Sequence, residues 1–74
     1  ISLYPSPAKT ELRISGLEMD SEINIVNSQG ENLYHKVNSR TDEFIDTSEL
    51  PSGMYLLHVL SKNINTWKKL VIEK

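Results

Sequence analysis

The most apolar run in the chain is Met54 to Leu60, and a cluster of turn-forming residues, Ser48–Glu49–Leu50–Pro51–Ser52–Gly53, leads into it. Alternation at period two places Tyr55, Leu57 and Val59 on one face, which predicts a central β-strand. Pro51 presets one turn dihedral and Gly53 is free to take a positive φ. A tyrosine two residues after a glycine at a strand entrance matches the tyrosine corner of immunoglobulin-like sandwiches, in which the phenol pins the preceding turn.

The same period recurs along the chain. Ile1 to Tyr4 alternates weakly and stops at Pro5–Ser6–Pro7, where two prolines remove backbone donors and protect an edge. Thr10 to Ser15 turns Leu12 and Ile14 inward, and Gly16 ends it. Leu17 to Ser21 is a connection in which Leu17 or Met19 covers one end of the core. Glu22 to Asn27 places Ile23 and Ile25 on one face, and Asn27–Ser28–Gln29–Gly30 forms a hairpin loop with Gly30 left-handed. Glu31 to Val37 returns antiparallel, and the pattern leaves open whether Leu33, His35 and Val37 or Tyr34 and Lys36 face the core. Glu43 to Asp46 is a short strand with Ile45 inward and Phe44 outward. Ser61 to Asn65 is the last hairpin loop, and Thr66 to Ile72 closes the chain. Seven short strands with turn chemistry between them predict an all-β fold, a small immunoglobulin-like antiparallel sandwich.

Composition narrows the function classes. At 74 residues the chain is one domain, spanning 1–74, near the lower size limit for folding without staples. It has no cysteine, so disulfides and thiolate metal sites are absent and stability rests on the core. Eight basic and ten acidic side chains are scattered, which argues against a nucleic-acid partner. No apolar stretch has the length of a membrane-spanning helix. The chain begins at Ile1 with no visible leader, which is expected of a piece of a longer precursor.

Candidate chemistry is sparse. His35 and His58 lie within strands and match no zinc-binding spacing, so strand-face histidines are the favoured reading. Ser48, His58 and Asp46 supply the residue types of a hydrolytic triad, but no serine stands in a nucleophile elbow. Asp42, Glu43 and Asp46 offer oxygen ligands for calcium, and a solvated edge is the preferred account. Trp67, Tyr4, Tyr34 and Tyr55 could form a sugar-stacking platform, although aromatics in strands of this length are more often core. The lysines Lys68, Lys69 and Lys74 are too few for a polyanion patch. The expectation is a non-enzyme with no cofactor and no metal.

Four segments, in order, resemble the C-terminal sorting domains of the type IX secretion system of Bacteroidetes: Tyr4–Pro5–Ser6–Pro7–Ala8, Val26–Asn27–Ser28–Gln29–Gly30–Glu31, Leu50–Pro51–Ser52–Gly53–Met54–Tyr55 and Lys68–Lys69–Leu70–Val71–Ile72. The family's forms are a YPNPA-like opening, a D-x-x-G-[RK] hairpin, an L-x-x-G-x-Y turn and a lysine-bearing terminal strand. Here Ser6 replaces asparagine, Asn27 replaces aspartate, and Glu31 stands where a basic residue is usual.

The resemblance implies a non-catalytic secretion signal for an N-terminal cargo domain. Its partners are the outer-membrane translocon, shuttle proteins and a surface sortase that cleaves it in most members. It implies passage through the periplasm to the outer membrane and cell surface, or release. Candidate recognition residues carried over on the motifs are Gly30, Leu50, Pro51, Gly53, Tyr55, Lys68, Lys69, Val71 and Ile72, with Glu73 and Lys74 beside them. Gly30, Pro51, Gly53 and Tyr55 have structural duties as well, which makes Lys68, Lys69, Glu73 and Lys74 the sharper candidates. A last strand at a sheet edge would offer unpaired backbone groups to a receptor. The same exposed edges could pair two copies of the isolated domain. The alternative function is an immunoglobulin-like adhesion or carbohydrate-binding module with Trp67 on its binding face.

Overall fold

In the computed structural model, which describes residues 1–4 and 9–74, seven strands form two antiparallel sheets packed face to face. The strands are β1 (Ser2–Tyr4), β2 (Glu11–Ser15), β3 (Ser21–Val26), β4 (Asn32–Asn38), β5 (Asp42–Asp46), β6 (Gly53–Leu60) and β7 (Asn65–Ile72). One sheet has the order β1-β2-β5 and the other β4-β3-β6-β7. β4 lies beside β3, so the larger sheet carries the β6–β7 hairpin and has β4 and β7 as its edges. This is an immunoglobulin-like sandwich. Each predicted strand is present, with ends within about two residues of those expected, as is usual for element boundaries. The edge-protecting role expected of Pro5–Ser6–Pro7 falls outside the described residues.

The core follows from the alternation. Leu12 and Ile14 of β2 and Ile45 of β5 meet Ile23 and Ile25 of β3, Leu57 and Val59 of β6, and Leu70 and Ile72 of β7, all essentially solvent-free. Of the two residues proposed to cap one end, Leu17 is buried and Met19 is exposed. Glu18 closes that end from outside. Its carboxylate accepts hydrogen bonds from the Ser61 hydroxyl (2.5 Å) and the Asn63 amide (3.3 Å) of the β6–β7 loop, and these bonds hold its pKa below the ordinary value.

β4 resolves the face that the pattern left open. Its register puts Tyr34 opposite Ile25, Lys36 opposite Ile23 and Asn38 opposite Ser21, so these three share the inward face. Leu33, His35 and Val37 point out, although two of them are apolar. The register shift between Ile25 and Val26 skips Leu33, and this bulge fixes which face each later residue takes. Lys36 is tolerated on the inner face because its side chain stays half-exposed and its ammonium reaches Glu43 of β5 at 3.0 Å.

The turn before β6 is pinned as the sequence predicts. Gly53 has φ 156°, backbone space that is nearly reserved for glycine. The Tyr55 hydroxyl donates to the Pro51 carbonyl at 2.5 Å while its ring is buried. Tyr55→Phe keeps the packing and removes this bond. Such a bond contributes about 1 kcal/mol, so thermal melting of the variant is expected about 4–8 °C lower.

Candidate functional site

Alternation on β6 has a second consequence. With Tyr55, Leu57 and Val59 inside, Met54, Leu56, His58 and Leu60 must lie on the outer face of the larger sheet. An outward face in solvent is ordinarily polar, yet Met54 is 58% and Leu56 44% exposed. Between them and their neighbours lies a groove of ≈ 300 Å³, lined by Asn27, Ser28, Met54, Tyr55, Leu56 and Lys69. Asn27 and Ser28 belong to the hairpin motif, Met54 and Tyr55 to the turn motif, and Lys69 to the last-strand motif. Segments far apart in sequence meet here because β3 pairs with β6 and β6 with β7.

The hairpin wall is rigid for a specific reason. The Asn27 side-chain oxygen accepts the backbone N–H groups of Gln29 (3.0 Å) and Glu31 (2.9 Å), and its carbonyl accepts the N–H of Gly30 (3.0 Å). Gly30 sits at φ 81°, as the loop requires. The Asn27 amide nitrogen donates to the Glu31 carboxylate at 3.0 Å. The two departures from the family pattern therefore compensate: asparagine supplies the same acceptor as aspartate and adds a donor for the acid that replaces a base. Asn27→Asp alone is expected to lower Tm by a few degrees, because two carboxylates then face each other, and adding Glu31→Lys should restore it. A double-mutant cycle by thermal denaturation checks this coupling.

The remaining candidate residues divide by role. Leu50 is half-buried against the core, and its N–H donates to the Thr47 carbonyl at 3.0 Å. Pro51 is exposed and holds the tyrosine corner, whereas Ile72 is a core residue. Val71 is half-buried on the outer face opposite Met54. Lys68 lies on the other face of β7, beside Ile1, Gly16, Ile64 and Thr66, so it does not share the groove with Lys69. Glu73 is exposed. Lys74, expected to be dispensable for packing, is tied to the turn instead: its N–H donates to the Ser52 hydroxyl (3.2 Å) and its ammonium to the Ser48 carbonyl (2.6 Å).

Met54, Leu56, Asn27 and Ser28 were not among the residues carried over on the motifs. The signal for the first two is an apolar residue at three of the four outward positions of a half-buried strand, Met54, Leu56 and Leu60.

Trp67 is not a core residue, contrary to the preference for strand aromatics. It is 54% exposed on the outer face, where the sheet register sets it opposite His58, and the rings stack at 4.1 Å and 15°. His58 also bonds the Asn65 side-chain oxygen at 2.8 Å. The Asp46 carboxylate accepts the Ser48 N–H at 2.9 Å, and the Ser48 side chain together with that N–H keeps the Asp46 pKa low. No hydrogen bond among the described residues joins His58 to either, so the three are not arranged as a triad. Of the carboxylates considered for calcium, Glu43 is engaged by Lys36.

The family profile described as "Secretion system C-terminal sorting domain" matches residues 2–73. No curated protein matches the chain significantly. Among solved structures, the chain is similar to PorZ of Porphyromonas gingivalis, described as an essential bacterial surface component of the type-IX secretion system. The likeness has a TM-score of 0.86 at 18% identity and covers 99% of this chain but 11% of that one, so it speaks to the fold of one part of a longer protein. By its sequence this chain belongs to the secretion system C-terminal sorting domains, those of the type IX system of Bacteroidetes.

Proposed function

We propose that this domain is a non-catalytic address, read as a folded shape, that takes an N-terminal cargo through the type IX outer-membrane translocon to the cell surface. A sorting-signal role is the family's; the route, the partners and the reading surface are what this proposal adds. The observation that carries it is the groove beside β7, where three of the four family motifs contribute residues to one exposed apolar face. Exposed apolar surface on a domain this small is costly to solubility and is expected where a partner covers it.

The cargo reaches the periplasm first, shuttle proteins or the translocon engage the groove, and a surface sortase removes the domain after passage. The sites that remain for cleavage lie outside the sandwich, since an edge strand locked into a folded sheet is a poor protease substrate.

The test is a fusion of these residues to a periplasmically exported fluorescent reporter in a Bacteroidetes host. Reporter at the surface or in the medium of the intact host, and in the periplasm of a host lacking the translocon, is the expected result. A shorter product outside the cell would report cleavage. Retention in the periplasm of both hosts with a folded domain would overturn the proposal.

One observation favours the adhesion or carbohydrate-binding reading: Trp67 stands exposed on the outer face. Its stack on His58 occupies one ring face. Glycan binding that disappears in a folded Trp67→Ala variant would support that reading over the secretion signal.

A further inference from the structure

β7 is the edge of the larger sheet, and the direction of its backbone groups can be worked out. The β6–β7 hairpin closes with the Ser61 N–H donating to the Ile64 carbonyl at 2.7 Å, and the register runs without a shift from Leu60↔Asn65 to Gly53↔Ile72. Antiparallel ladders alternate hydrogen-bonded and non-hydrogen-bonded pairs. Counting from the closing pair, Thr66, Lys68, Leu70 and Ile72 bond to β6. The N–H and C=O groups of Trp67, Lys69 and Val71 therefore project from the edge.

The charge along this edge has one sign. β6 and β7 contain no carboxylate, and neither Lys68 nor Lys69 is in an ion pair among the described residues. The two lysines are consecutive, so they stand on opposite faces at the middle of the strand. On the outer face Lys69 is flanked along β7 by Trp67 and Val71, and the groove adjoins it. A second copy of the domain is a poor occupant. Full overlap of two β7 edges about a two-fold axis seats Lys68 or Lys69 directly opposite its own copy, and like charges there are unfavourable.

Building on the reading of this domain as an export signal, we propose that the β7 edge accepts an extended acidic segment of the receptor. The segment pairs as an added strand, with two adjacent carboxylates opposite Lys68 and Lys69 and apolar side chains beside Trp67 and Val71. Backbone pairing supplies the bulk of the affinity, and the carboxylates set the register and exclude self-pairing.

The probe is a synthetic peptide of the length of β7, alternating valine and threonine around a central pair of glutamates. A control peptide carries two lysines instead. Binding to the intact domain is followed by amide chemical shifts and hydrogen exchange. The expected result is binding of the acidic peptide, with new protection of the Trp67, Lys69 and Val71 amides and affinity falling as salt rises. The lysine peptide should bind at least about tenfold more weakly, given two attractive pairs turned repulsive.

Two variants keep the test decisive. Lys69→Pro removes an edge donor that is not bonded to β6, so the domain should fold and lose the peptide. Lys68→Glu with Lys69→Glu should exchange the preference for the lysine peptide. Equal binding of both peptides, no binding to a folded domain, or protection confined to the β4 edge would each overturn the inference. A domain that still exports its reporter while failing these binding tests would sink the edge mechanism and leave the secretion signal standing.

Discussion

Leu57→Ala should unfold a large fraction of the domain, while Leu56→Ala, one residue earlier, should scarcely change its stability. Leu57 is solvent-free between the sheets, whereas Leu56 is on the outer face. Emptying a buried leucine site costs about 2–5 kcal/mol, from lost transfer energy and the cavity left behind. A domain of 74 residues has a total stability on the order of 5 kcal/mol, and this one has no cysteine to staple it. Loss at Leu57 therefore removes most of the margin. Urea denaturation of both variants reads the difference directly as midpoints. Similar midpoints would mean that the alternation of β6 is misassigned and, with it, the groove.

Leu56→Glu is expected to leave the domain folded and abolish export. Leu56 sits opposite Lys69 across the hairpin. A glutamate there gains a cross-strand partner of opposite charge, which offsets the loss of an apolar residue on an exposed strand face. The melting temperature should move by only a few degrees. For a receptor the change is severe, because the apolar floor of the groove becomes charged and the Lys69 ammonium is occupied. A fusion carrying Leu56→Glu should accumulate in the periplasm with the circular dichroism and melting of a native sandwich. Export at the unaltered level would remove the groove from the mechanism.

Much of the fold was readable in the order of residues, because it depends on local rules. Strand alternation sets which residues of β2, β3, β5 and β6 are buried, and the Pro51–Gly53–Tyr55 spacing dictates the tyrosine corner. The features that escaped depend on neighbours supplied by the fold. A skipped residue, Leu33, decides which face of β4 is inward. Trp67 is outside because the register seats it against His58, a relation between strands that no single segment contains. Lys74 looks like a loose end until the turn at Ser48–Ser52 is brought to it.

The recognition residues were legible only in part. The motifs point to Lys69 and to the turn before β6, but they also collect residues such as Gly30, Leu50 and Ile72, for which loop geometry or packing is a sufficient explanation. Met54 and Leu56 gain their meaning when the β3–β4 loop and β7 are placed on either side of them. The sandwich has a second exposed row, Tyr4, Arg13 and Phe44 on the smaller sheet, where the Arg13 guanidinium lies 4.1 Å from the Phe44 ring centre and 5.6 Å from that of Tyr4. This row satisfies itself by cation–π contact and draws on one family motif, through Tyr4.

That contrast between the two outer faces supplies the most direct test. A photo-crosslinking amino acid is placed at Met54 in one fusion and at Phe44 in another, and both are irradiated in secreting cells. Adducts to a component of the secretion machinery from position 54, and none from position 44, are the predicted result. Adducts from position 44 alone, or equally from both, would contradict the claim that the groove face is what the machinery reads.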